Sequence, residues 1–359
     1  MQTDWTDLQS KTIDALRFPM AVAVVMLHYG KTVVLDATGP LRVLCILFQE
    51  GICRLAVPCF FLLSGFLFFN GLRTWSWPEW GRKLRNRVRT LLVPYLLWNV
   101  IALIALWIYY NVQAGPVSLY QQFLNAGGVR MFWSVSGALP VGSQAFPVDG
   151  PLWFIRDLML FVLLTPAIYL FLRWTKVYGV LGLCVLFLAV RRVVPEGLLF
   201  FVIGAYLQLA GKNLLQTAWP RRYALLAVAV LSMAAIFLLF DVSDYWTRFS
   251  KFFFLVSGIG SAICLAAWGW EKRTRLSVPF LAGSSFFIFA AHEVLILQNA
   301  ACPLVETLLP TDTVWGSILA FFLTPALAVA ICLGLLFLLQ KLLPRTAAVL
   351  TGGRKTAYR

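Results

Sequence analysis

Ten apolar runs, each approaching or reaching the length that crosses ~30 Å of hydrocarbon, dominate this chain. They fall at 14–34, 52–70, 90–110, 151–172, 177–190, 195–211, 223–240, 251–270, 277–298 and 313–343. A spanning helix needs about 17–25 residues, and only the fifth and sixth runs are short. The fold expected is therefore an all-α polytopic membrane protein with about ten transmembrane helices and no soluble domain. Composition closes off the alternatives. The chain is 60% apolar and 13% charged, where a soluble domain is ~25% charged. With a mean hydropathy of +0.81, it cannot cover itself in polar surface, so a water-soluble enzyme and a disordered chain are both excluded. Seven cysteines in 359 residues are too sparse for a disulfide framework. None forms a C-x-x-C pair, so they read as small buried hydrophobes, and no metal site is expected.

The net charge of +15 would suit a nucleic-acid partner. Its distribution argues otherwise. With the N-terminus placed in the cytoplasm, twenty of the thirty Lys and Arg fall on the inner side: Lys11, six in 73–89, and the groups at 173–176, 212–222, 272–275 and from 341 onward. Eight fall outside, namely Lys31, Arg42, Arg54, Arg130, Arg191, Arg192, Arg248 and Lys251. This positive-inside bias predicts N-in and C-in. Residues 1–13 then form a cytoplasmic tail, 14–343 one transmembrane domain and 344–359 a second tail. The single long connection, an outer loop over 111–150, carries Gly127, Gly128, Pro140 and Pro147. Loops of that length are usually functional or mobile.

Ionisable groups at membrane depth cost ~2.5–3.5 kcal/mol or more each, so each is a functional candidate. The first span holds Arg17 and His28, the fourth Arg156 and Asp157, the ninth His292 and Glu293, and Arg54 opens the second. Arg17 and His28 are eleven positions apart, which sets them ~20° apart around a helix and ~16 Å along it. A snorkelling arginine plus a histidine linking two helices would account for this pair alone. However, His28, Arg54, Arg156, Asp157, His292 and Glu293 all fall in the outer half by position. A shared polar cavity explains that coincidence, with neutral His28 as a candidate general base. The basic stretch Arg82-Lys83-Leu84-Arg85-Asn86-Arg87-Val88-Arg89, within the inner loop 73–89, reads as an ordinary positive-inside loop or as a phosphate clamp.

These residues resemble a known family. Ile13-Asp14-Ala15-Leu16-Arg17, followed by ten residues and His28, resembles the R-x10-H signature of the acyltransferase-3 family of integral membrane acyltransferases. Arg54-Leu55-Ala56-Val57-Pro58-Cys59-Phe60-Phe61-Leu62-Leu63-Ser64-Gly65-Phe66 resembles its second span, and Arg82 with Arg85, then Pro94-Tyr95, its R-x-x-R loop. Pro151-Leu152-Trp153-Phe154-Ile155-Arg156-Asp157-Leu158 and Gly283-Ser284-Ser285-Phe286 through His292 resemble two further segments. The matches run in order over residues 13–300. Phe289 stands in place of the usual Tyr, and Asp157 where many members carry Glu. Within the family, the A-V-P-x-F-F variant is similar to a bacterial branch linked to surface polysaccharides and the common antigen of enteric bacteria.

The resemblance implies a multi-pass enzyme of the bacterial inner membrane. It would pass an acyl group, typically acetyl, from cytoplasmic acyl-CoA to a hydroxyl of an envelope glycan or lipid-linked sugar. Acetyl-CoA would be a co-substrate, with no bound cofactor, and the partners would be acyl-CoA, the glycan and membrane lipid. Arg17, Arg82 and Arg85 would face the CoA phosphates and His28 the thioester. Asp157, Glu293 and His292 join His28 as catalytic candidates, with Asp14, Arg54 and Arg156 as further polar-cavity residues. Ser64 and Ser285 read as small packing residues in preference to acyl carriers. A proton-coupled transporter or polysaccharide exporter also uses buried acids and bases, and it is the alternative kept open here. An intramembrane serine protease fits less well, because Ser64 falls in the inner half and His292 in the outer.

Overall fold

A computed structural model describes residues 4–33, 39–72, 74–113, 117–135, 146–190, 193–271 and 279–354. Arg73, Pro140, Arg191, Arg192, the cations of 272–275, the last five residues and the side chain of Lys31 lie outside the described residues. In chain order the helices are α1 (Trp5–Val33), α2 (Gly39–Cys45), α3 (Ala56–Phe69), α4 (Trp77–Arg87), α5 (Val93–Gln113), α6 (Leu119–Asn125), α7 (Trp153–Leu163) and α8 (Thr165–Ala189). Then follow α9 (Glu196–Leu209), α10 (Leu214–Ala218), α11 (Arg222–Leu239), α12 (Asp244–Glu271), α13 (Pro279–Ala291), α14 (Cys302–Leu308), α15 (Val314–Leu342) and α16 (Pro344–Leu350). No strand occurs among the described residues. The protein is an all-α polytopic membrane protein, as its apolar runs require.

Seven helical stretches among the described residues are long and apolar enough to span, including Gly39–Phe69, Trp77–Val112 and Val314–Leu342. The other expected runs are interrupted. The ninth is a bent pair, Pro279–Val294 and Ile296–Leu308, turned by 57°. The fourth is split between α7 and the first part of α8. The fifth follows Lys176, whose φ of 52° and ψ of −133° break α8 where the sequence places a loop. The sixth, α9, has 14 residues and so measures ~21 Å at 1.5 Å per residue.

α1 begins nine positions before its apolar run, so most of the expected N-terminal tail is helical. The cause is local. Asp4 Oδ1 accepts from the amides of Thr6 at 3.0 Å and Asp7 at 3.3 Å, which satisfies donors that otherwise fray a helix start. Asp7 and Lys11 then pair at 2.6 Å across one turn.

The chain forms two compact units, one of Met1–Glu79 with Leu164–Ala282 and one of Trp80–Leu163 with Gly283–Arg359. Unit 1 has two distinguishable ends. At one end, Asn213 donates to the Trp5 carbonyl at 3.2 Å and Trp270 to the Lys11 carbonyl at 3.3 Å. At the other, Arg42 pairs with Asp241 at 2.5 Å and Lys251 with Glu50 at 2.6 Å. In unit 2, Trp98 donates to the Leu350 carbonyl at 3.1 Å and stacks edge-on against Phe287 at 5.2 Å, which ties α5, α13 and α16 together.

The tightest crossing in unit 1 is α3 on α9. A Cβ on Gly65 would meet the Phe201 carbonyl oxygen at 2.1 Å, and one on Gly204 would meet that of Leu62 at 1.9 Å. Lipid tails supply no hydrophobic drive between helices, so close backbone packing through small residues has to hold them. Ser64 lies beside this crossing. Gly204→Ala is therefore expected to lower resistance to unfolding by about 1–3 kcal/mol. Gly182→Ala, where an added Cβ meets nothing within 4 Å, serves as the control. Denaturation of the detergent-solubilised protein reads the difference, and equal behaviour of the two variants would refute the packing argument.

Candidate functional site

Each unit positions its own share of the candidate residues. In unit 1, Arg17 and His28 lie on the one continuous helix α1. Arg17 pairs with Asp14 at 2.9 Å, both side chains being more than a third exposed, so this pair is worth little to stability. Asp14 thus serves Arg17 directly. His28 is half-buried. Arg54 sits in the 3-10 turn Ile52–Leu55 just before α3, and Glu50 lies within its electrostatic reach. That turn packs on α1, with Cys53 Sγ 3.9 Å from Met26 Sδ. Arg54 and His28 therefore occupy the same end of unit 1.

Arg82 and Arg85 belong to unit 2. The basic stretch that carries them is helix α4, which runs into the following span through a π-helical turn at Val88–Leu92. Three positions apart and both exposed, they present neighbouring guanidinium groups on one helix face.

Unit 2 also holds a buried polar cluster. Arg156 is 0% exposed and Asp157 1%. The Arg156 guanidinium donates to Asp157 Oδ1 through Nε at 2.9 Å and Nη2 at 2.7 Å, and through Nη1 to the Trp133 carbonyl at 2.7 Å. Trp133 also turns its ring toward that guanidinium, 6.0 Å from the centroid. A charge this deep persists only when paired and hydrogen-bonded.

His292 is also 0% exposed and opens the π-helical segment His292–Ala301, where π-bulges often mark function. Its Nδ1 stands 3.0 Å from the carbonyls of both Ile288 and Phe289. A carbonyl only accepts, so these contacts assign a proton to Nδ1.

Asn99 and Asp149 of this cluster escaped the sequence reading, and Tyr95 entered it only as part of a matched motif. Tyr95 lies within the field of Arg156, Asp149 and Asp157, and its hydroxyl donates to the Phe132 carbonyl. Asn99, fully buried, donates to the Tyr95 carbonyl at 2.8 Å and accepts from the Asp149 amide at 3.2 Å. Asp149 is 2% exposed, and Glu293 lies against the next residue, where a Cβ on Gly150 would meet Glu293 Oε2 at 2.8 Å. The available signals were a polar residue inside the third apolar run (Asn99) and an acid two residues before Pro151 (Asp149).

Burial first, and the Glu293 carboxylate second, hold the Asp149 carboxyl well above the usual range. Since the folded value is raised, the stability this group confers is complete below the ordinary aspartate value of ~4 and is lost as pH climbs through the raised one. Asp149→Asn removes that dependence. The thermal stability of the native chain is expected to fall relative to Asp149→Asn over the pH range upward from about 4. A difference that stays constant across that range would contradict the assignment.

The comparisons with known proteins follow these residues. A family model described as an acyltransferase domain matches residues 10–337, an interval that includes Arg17, His28, Arg54, Arg82, Arg85, Arg156, Asp157, His292 and Glu293. The chain is 28% identical over 373 residues to the succinoglycan biosynthesis protein ExoH of Rhizobium meliloti (strain 1021), covering 98% of this chain and 94% of that one. No solved structure matches it. With nearly its whole length accounted for by one family model, the chain belongs to the acyltransferase-3 family of membrane acyltransferases.

Proposed function

We propose that this protein is a bacterial inner-membrane O-acyltransferase that transfers an acyl group, acetyl in the simplest case, from cytoplasmic acyl-CoA to a hydroxyl of a cell-envelope glycan or lipid-linked saccharide. The family match over residues 10–337 carries the reading. The name of the relative, a succinoglycan biosynthesis protein, favours a glycan acceptor. The bias of Lys and Arg along the sequence assigns the cytoplasmic side to the end of unit 1 that holds Lys11 and Trp270.

In this proposal Arg17, Arg82 and Arg85 are the cations for the CoA phosphates. The acceptor hydroxyl attacks the thioester carbonyl carbon and gives its proton to His28. As the new C–O bond forms, the C–S bond breaks, and the departing CoA sulfur takes the proton from His28. His292, with Glu293 and Asp149 close by in the same unit, is the second proton-accepting group of this proposal. Asp157 fixes Arg156 and so positions this cluster.

The test is transfer of labelled acetyl from acetyl-CoA into lipid-linked or surface glycan in membranes carrying the chain, together with CoA binding by the purified protein. Incorporation and binding are both expected. Neither incorporation nor CoA binding would overturn the proposal and return the question to transport.

A further inference from the structure

Unit 1 contains an apolar groove of about 860 Å³ between α1, α11, α12 and the chain just before α3. Its walls include Met20, Leu47, Leu226, Met233, Phe254 and Leu265. Leu226 and Leu265, on two spanning helices, are more than half exposed, so the groove opens sideways to lipid. Arg222 and Met233 both line it. Eleven positions apart on α11, they set its length at ~16 Å, close to one leaflet of a ~30 Å hydrocarbon core.

One end of the groove is polar. Arg222 stands there with Trp219, Tyr223 and Trp268. Trp268 is two residues from Trp270, which donates to the Lys11 carbonyl, so this is the end assigned above to the cytoplasm. The half-buried guanidinium lies 4.9 Å from the Trp219 ring centroid and 4.6 Å from that of Tyr223. Its Nη1 donates to the Trp219 carbonyl at 2.9 Å, and no carboxylate pairs with it among the described residues. Rings engage the flat faces of a guanidinium, whereas its five N–H donors lie in the plane. That edge suits a phosphate.

Ser261 adds a second polar contact, deeper in. It lines the groove, and its Oγ is buried with no hydrogen-bond partner among the described residues. Ser257, one turn earlier on the same helix, instead donates to the Phe253 carbonyl at 2.6 Å, the usual refuge of a helical serine. Arg222 lies within electrostatic reach of Cys264. Ser261 comes three residues before Cys264, which sets it ~4.5 Å further from the Arg222 end. The groove thus matches an anion at its mouth, a neutral acceptor just below and an apolar chain beyond. A glycerophospholipid carries phosphate, ester carbonyl and acyl chain in that order. A fatty acid lacks the middle group, and an isoprenoid phosphate has no carbonyl. Arg221, an exposed cation beside Arg222, disfavours a headgroup that brings its own ammonium.

We propose that this groove holds an anionic glycerophospholipid of the inner leaflet, its phosphate on Arg222, an ester carbonyl accepting from Ser261 and one acyl chain running toward Met233. Its leaflet rests on the orientation proposed above, whereas the site does not depend on the acyltransferase reading. Pro19 and Met20 line the same groove, two and three residues beyond Arg17, so the lipid braces the helix that bears Arg17 and His28.

The full chain in detergent micelles is titrated with palmitoyl-oleoyl phosphatidylglycerol, with the phosphatidylcholine of the same chains and with a diether phosphatidylglycerol, which has no ester carbonyl. Native mass spectrometry reads the first bound lipid. Phosphatidylglycerol is expected to bind about tenfold more tightly than phosphatidylcholine, and Arg222→Gln to abolish that preference. Ser261→Ala, small enough to guard against misfolding, is expected to weaken the diacyl lipid by about threefold to tenfold and leave the diether lipid unchanged. Lys341→Gln, at an exposed cation outside the lining, changes neither. Equal binding of the two headgroups would mark ordinary boundary lipid and overturn the proposal. So would indifference to Arg222→Gln, or displacement of the lipid by inorganic phosphate at matched concentration. Diacyl and diether lipids that respond alike to Ser261→Ala would overturn the assignment to a glycerophospholipid ester.

Discussion

His28→Ala is expected to reduce acyl transfer by roughly 10²–10⁴-fold, the contribution of a positioned general base, while CoA binding stays within about twofold of native. The split between the two readouts is the point. A histidine that only links helices would, on removal, disturb the fold, and both readouts would fall together. A base touches the reaction after the donor is already held, so only turnover collapses. His28→Gln separates the cases further, since an amide keeps much of the hydrogen bonding and none of the proton affinity. Turnover by His28→Gln near the native rate would remove His28 from the chemistry. His292 would then become the leading candidate, because contacts with its own helix carbonyls assign its proton to Nδ1.

The second large effect is on stability. Arg156→Met leaves the Asp157 carboxylate at a site 1% exposed with its cation removed, and breaking a buried pair this way costs about 3–5 kcal/mol. The double variant Arg156→Met/Asp157→Leu removes both charges and is expected to recover much of that loss, because apolar replacements of similar volume often match a buried ion pair. Unfolding of the solubilised protein in denaturant gives the three stabilities. A double variant no better than Arg156→Met alone would mean that the pair is not one energetic unit. It would also shift the weight onto the Trp133 carbonyl, another partner of Arg156.

The sequence disclosed some of this and hid the rest for physical reasons. Membrane residence was plain because the solvent dictates composition over hundreds of residues. The break at Lys176 falls in a gap between apolar runs, whereas the π turn at His292 lies inside one, and hydropathy is blind to it. Arg156 and Asp157 stood out as charges in an apolar run, yet consecutive residues point ~100° apart on a helix. Nothing in the pattern said that the long guanidinium arm would fold back onto its neighbour. Asp149 shows the opposite limit. It lies in what reads as a polar outer loop, and burial of a loop acid becomes visible only once Asn99 and Glu293 are placed around it.

The crossing of α3 and α9 constrains how unit 1 can work. Each helix presses its glycine against a carbonyl of the other, so neither can slide or rotate without driving backbone into backbone. During turnover the two must travel as a single strut. On the acyltransferase reading proposed above, a cycle that admits a large donor and a separate acceptor still needs something to yield. In unit 1, the reversed backbone at Lys176, one helix away from that strut, is the natural place for the bending to collect.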